Sequence, residues 1–236
     1  MRLLDAFAAL FDGKPYRHRV SNQSDSVSLE LYEDLVALGY APKLSASIAA
    51  TRRGVGPGNK AVTLARTRRG DGTLGLLVNP SEAVAVTGYS VVRGAIATIE
   101  CAVEMKILNK AMLKQIDRVM NDLEKQVGSW RSFAPQAITV AIVGINHAPF
   151  ASSFEGERET RTDGRKHKHP IDEAPEAESR IRSRIVERRI YDEVLILRYK
   201  ATNIPPYPFS WVDHQATLRD YRALLIRLSG RLETML

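Results

Sequence analysis

The chain has 236 residues, with 34 Lys and Arg against 27 Asp and Glu, which gives a formal charge of +7. Its 44% hydrophobic and 26% charged residues are those of an ordinary globular protein, long enough to bury a sizeable core in one large or two small domains. No apolar run approaches the ~20 residues of a membrane span, and Cys101, the only cysteine, excludes an intramolecular disulfide or a Cys-rich zinc site.

The start of the chain, MRLLDAFAALF, carries Asp5 and does not read as a cleaved leader. A cytoplasmic protein without a membrane partner is therefore expected. Residues 3–11 read as a short helix. A polar turn over 21–26 precedes a helix over 27–38, with Leu31, Leu35 and Leu38 on its apolar face and Gly39 as C-cap. From Leu35 to Gly70 there is no acidic residue, while Lys43, Arg52, Arg53, Lys60, Arg66, Arg68 and Arg69 equal the whole net charge. Interrupted by GVGPG, this block reads as a basic loop followed by a basic hairpin. Such a feature contacts phosphates without reading sequence.

Residues 54–60 read as a loop. Strands over 61–67 and 73–78 flank the Asp71-Gly72 hairpin signal, and Asn79-Pro80-Ser81 ends the second. Residues 95–108 read as a buried strand running into a helix. The clearest helix spans 109–130, with Met112, Leu113, Ile116, Val119, Met120, Leu123 and Val127 at helical spacing. After Pro135, the apolar run 137–145 is a central strand covered on both faces. A polar loop over 151–170, a charged helix over 171–189, a strand over 194–199, a Pro/aromatic connector over 203–211 and a helix over 217–235 complete the chain. The order implies an α/β sandwich with a mixed central sheet.

On a strand, Glu100, Ala102, Glu104 and Lys106 share one face, and Ile99, Cys101, Val103 and Met105 the other. Buried charges need partners or a use. Glu104 and Lys106 stand roughly 7 Å apart along the strand. There Glu104 can ligate a hard cation such as Mg2+ while Lys106 reaches the adjacent water or phosphate.

The order helix, three strands with Glu104-Met105-Lys106 on the third, helix, strand resembles the PD-(D/E)xK nuclease superfamily over about residues 27–146. The resemblance implies a single domain, a restriction-endonuclease-like sandwich: a mixed central sheet flanked by helices, with a C-terminal α/β extension over about 151–236. It implies a Mg2+-dependent nuclease (Mn2+ as a substitute) cutting double-stranded DNA as a homodimer, in a restriction or phage-defence role. Glu104 and Lys106 would be catalytic, with Gln115 and Lys114 on the following helix, Gln115 in a supporting role. Three residues compete for the first metal-binding acid. Glu82 would substitute for the family's Asp, since Ser81 stands at that place; Asp71 lies at the hairpin tip; Glu100 would need a bulge in the strand. Glu30 or Glu33 matches a glutamate that many members carry on their first helix, although both also fit ordinary exposed positions. Arg52, Arg53, Lys60, Arg66, Arg68, Arg69 and Lys114 would contact the nucleic acid. The competing expectation is a non-catalytic nucleic-acid-binding or assembly subunit of the same fold.

Asn146-His147 closes the apolar strand, where His147 could touch phosphate, move a proton or be locally satisfied. The 155–159 glutamates, His167-Lys168-His169 and the 203–211 aromatics fit surface or packing roles. The 54–61 segment lacks the second glycine and the hydroxyl of a phosphate loop.

Overall fold

A computed structural model describes residues 1–17, 23–56, 70–110, 112–155 and 158–236. Among them are six α-helices and eight strands, in the order α1 (Arg2–Ala8), α2 (Gln23–Leu38), α3 (Pro42–Ala49), β1 (Arg53–Gly56), β2 (Gly72–Leu77), β3 (Ile96–Leu108), α4 (Met112–Phe133), β4 (Ile138–Asn146), β5 (Ser152–Glu155), β6 (Arg158–Arg161), α5 (Pro170–Ile181), β7 (Glu193–Ala201), β8 (Phe209–Trp211) and α6 (His214–Met235). Six strands form one mixed sheet in the order β1-β2-β3-β4-β7-β8. The β1–β2, β2–β3 and β7–β8 pairs are antiparallel, and β3–β4 and β4–β7 are parallel.

Two apolar cores follow from the alternation of β3 and β4. Cys101, Val103, Met105, Val140 and Ile142 pack with Phe7, Leu31, Leu35, Leu44, Tyr221 and Leu225, which places α1, α2, α3 and α6 on one face. Ala102, Leu108, Ala141, Val143 and Ile145 pack with Ile116, Met120, Leu123, Ala177 and Ile181 of α4 and α5 on the other. β4 is buried along its whole length, as its unbroken apolar run requires.

Several expectations change. Residues 95–108 do not turn into a helix; β3 continues to Leu108, because β4 pairs with it up to Leu108↔Ile145. Residues 54–56, expected to begin a loop, belong to β1, which pairs with β2. The strand expected over 61–67 lies outside the described residues. Residues 42–49, too short to show a clear period, form α3. The 151–170 segment contains the β5–β6 hairpin. The charged helix ends earlier than expected, closing in a π-turn over Arg182–Val186.

Acids of α2 tie the N-terminal helix to the body. Asp34 accepts the Arg2 and Leu3 amides at 3.0 and 3.1 Å, at the start of α1, and the Tyr221 hydroxyl at 2.8 Å. Glu30 accepts from Arg2 Nε and Tyr89 Oη at 2.7 and 2.6 Å, and Glu33 from the Ser90 and Val91 amides. Glu30 and Glu33 are buried in this clamp rather than exposed.

A bulge breaks the β2–β3 register. Leu74 faces Cys101 and Gly75 faces Ile99, leaving Glu100 as the extra residue. Gly75 is required there, since a Cβ would lie 1.8 Å from the Thr98 carbonyl oxygen. Gly75→Ala is expected to destabilise the fold by about 1–3 kcal/mol, read as a lower midpoint in urea unfolding; an unchanged midpoint would show that the strand relaxes at no cost.

Candidate active site

β3 outruns its neighbour. β2 starts at Gly72, opposite Val103, so among the described residues the β2-side edge of β3 beyond that point has no strand beside it. Asp71 fills the gap. Its amide donates to the Val103 carbonyl (3.1 Å), its Oδ2 accepts the Met105 amide (2.7 Å), and its Oδ1 accepts Ser24 Oγ (3.0 Å) from the first turn of α2. Asp71 thus stands one step beyond the Gly72↔Val103 pair, beside Glu104.

Glu104 and Lys106 share the α4-facing side of β3 with Ala102 and Leu108. Lys106 Nζ donates to Glu104 Oε1 at 2.5 Å. Burial alone would lower the Lys106 pKa, but Glu104, with Asp71 and Asp122 further out, outweighs it and holds the value above the ordinary lysine range. Lys106 is therefore a charged ammonium, suited to holding an anion or a water rather than to accepting a proton.

α4 supplies the facing wall. Gln115, Arg118, Val119 and Asp122 recur at helical spacing and line a cavity of about 260 Å3 together with Asp71, Lys106, Ser24 and Tyr16. Burial pushes the Tyr16 phenol well above its usual range, so it stays protonated. Gln115 makes a long 3.5 Å bond to the Lys110 carbonyl.

Of the residues expected from sequence, Glu104, Lys106, Gln115 and Asp71 come together here. Glu82 does not. It sits on the exposed turn Pro80–Glu82, held by Asn79 Nδ2 at 2.8 Å. That turn follows Leu77, which pairs with Ile96, roughly 26 Å along β3 from Glu104. Glu100 is also elsewhere. The bulge breaks the alternation, and Glu100 meets Arg53 in a bidentate pair at 2.7 Å for each bond, while Arg53 also donates to Ser47 of α3 at 2.6 Å. Glu100 therefore does not share a face with Glu104, and Arg53 is an internal ion-pair partner rather than a free cation. Arg52 is exposed at the Leu77 end of the sheet, away from the cavity. Lys114 is exposed on α4 and does not line the cavity. Lys60, Arg66, Arg68 and Arg69 lie outside the described residues, which resume at Gly70 next to Asp71.

Arg118, Asp122, Ser24 and Tyr16 were not anticipated. The first two were legible as the continuation of the Gln115 face; Ser24 and Tyr16 arrive only through tertiary packing. Tyr16 is placed by Asn203, which accepts the Tyr16 amide at 2.7 Å and donates to its carbonyl at 3.0 Å. His147 lies beyond the end of β4, outside the cavity lining, and its Nε2 is buried without a hydrogen-bond partner among the described residues. Burial lowers its pKa; Glu178 opposes the shift, and Arg198 and Lys200 add to it.

Asp71 and Glu104 are the residues that could hold a divalent cation. Each Asp71 oxygen keeps a lone pair after its bond, and Mg2+ is commonly held by one or two carboxylates plus waters and phosphates. Among the described residues, no group of three or more His, Cys, Asp or Glu is placed to hold a metal. Compared with known proteins, the chain matches no family model, no curated protein and no solved structure.

Two outcomes are expected. Arg53→Ala strands the buried Glu100 carboxylate and should cost about 3 kcal/mol in chemical denaturation; adding Glu100→Leu should recover part of the loss, and no recovery would argue against the pair. His147 resists protonation when folded, so it subtracts stability as pH falls through about 6.5 and toward its lower folded value. His147→Gln should flatten the stability–pH curve in that window, and an unchanged slope would assign it to other groups.

Proposed function

We propose that the chain is a Mg2+-dependent nuclease that hydrolyses a phosphodiester, with DNA as substrate. The observation that carries this reading is that Asp71, Lys106 and Gln115 line one cavity, with Glu104 paired to Lys106, although they come from a loop, a strand and a helix. The sheet order supports it: three antiparallel strands, a helix, and a fourth strand parallel to the third. That is the order by which the sequence resembles the restriction-endonuclease-like core. Under this reading Asp71, rather than Glu82 or Glu100, is the first acid.

Bound Mg2+ would supply Lewis acidity and lower the pKa of a water. Asp71 and Glu104 would bind it. Lys106 keeps its charge and orients the attacking water or steadies negative charge on the phosphate. Gln115 offers an amide donor from the facing wall. A homodimer on double-stranded DNA and a restriction or defence role belong to the same proposal and rest on the family resemblance.

A second reading has one observation in its favour. Both Asp71 oxygens and one Glu104 oxygen already serve protein donors, as they would in a non-catalytic binding subunit. Cleavage separates the two. Glu104→Ala, Lys106→Ala and Asp71→Asn should each lower Mg2+-dependent cleavage by roughly a hundredfold or more, with the circular-dichroism spectrum unchanged. Cleavage at the wild-type rate in folded Glu104→Ala or Lys106→Ala would refute the assignment.

A further inference from the structure

We infer that Arg118 is the cation of this site that receives a backbone phosphate of the nucleic acid, setting affinity and register. The inference rests on the nuclease reading and adds a residue that reading does not use. Lys106 is already engaged by Glu104 at 2.5 Å, and the charges of Asp71 and Asp122 also favour its ammonium. Arg118 is different. It lines the same cavity, it is exposed, and it forms no ion pair with any described residue.

Its natural helix partner would be Asp122, four residues on, but no Arg118–Asp122 ion pair forms, and Asp122 acts instead on Lys106. Among the described residues, the carboxylates of Asp71 and Asp122 in the cavity lining, with Glu104 paired to Lys106, outnumber the cations Lys106 and Arg118. A phosphodiester arriving there is repelled by the acidic wall and drawn to Arg118, the uncompensated cation among the described lining residues. A guanidinium suits the task, since its planar fork can grip two phosphate oxygens and it does not lose its proton. Gln115, three residues earlier on the same helix, lines the same cavity.

The test uses the full chain, a short DNA duplex without divalent metal, and binding measured by fluorescence anisotropy across a salt series. Arg118→Gln should weaken binding roughly tenfold near 0.1 M salt and flatten the log K against log salt slope by about 0.9, the value for one phosphate contact. Arg118→Lys should restore most of the slope, because the charge returns without the fork. Lys125→Gln, exposed on the same helix and outside the cavity, should behave as wild type. In cleavage with Mg2+, Arg118→Gln should raise KM by more than it lowers kcat.

A wild-type salt slope in Arg118→Gln, or a fall in kcat with KM unchanged, would overturn the inference. If the wild-type chain binds DNA but cuts nothing with Mg2+, the nuclease reading falls, while the slope still decides the role of Arg118. If the wild-type chain binds no DNA at any salt, both fall together.

Discussion

The third strand is longer than the second, and the Asp71 carboxylate completes the ladder where β2 is absent. An unpaired amide at that depth would be costly. The Met105 amide is satisfied by Asp71 Oδ2, and the same side chain takes the Ser24 hydroxyl from α2. One carboxylate thus joins the end of a hairpin, the edge of the central strand and the start of a helix. Among the described residues no strand fills that position beside Lys106, where the cavity lies, and α4 forms its far wall. A β2 extended by two residues would occupy the space and remove the site.

Elsewhere the same rule governs two more groups of buried acids, which are matched by donors that the fold brings to them. Glu100 is turned out of line by the bulge at Gly75 and receives the Arg53 fork. Asp34 gathers two amides of α1 and a tyrosine of α6. Such ties specify arrangement more than they add stability, since desolvation offsets much of the attraction. Their local consequence is that Arg53 and the acids Glu30, Glu33 and Asp34 of α2 are occupied away from the cavity at the end of β3.

The C-terminal third belongs to the same body. β7 pairs along β4, β8 closes onto β7, and α6 shares the core of α1 and α2. Asn146, fully buried, donates to Asn109 and Ala201 and accepts the Ala148 and Ala201 amides, pinning β4 to the β3–α4 turn and to β7. Asn203 holds Tyr16 through two bonds, so residues far apart in the chain build one lip of the cavity. Division into a 27–146 core and a later extension describes the sequence order better than the packing.

Periodicity and composition alone determined the long helix through Met120, the apolar central strand ending in Asn146, the mixed α/β character, and the Glu104–Lys106 pair as an anomaly on a buried strand. These are local signals, carried by side-chain spacing within one element. Only the tertiary structure shows which of the upstream acids stands near Glu104. Glu82 had a suitable separation along the chain, but separation along the chain does not measure distance across a sheet. Register does, and it placed Asp71 beside Glu104 while sending Glu82 to the far end of β3. The face of Glu100 was likewise undecidable from alternation, because a one-residue bulge reverses alternation and leaves little trace beyond a glycine on the opposite strand. The overall positive charge was legible from the start. That Arg53 is spent on an internal acid and Arg118 stands open beside the cavity depends on which partners folding brings within reach.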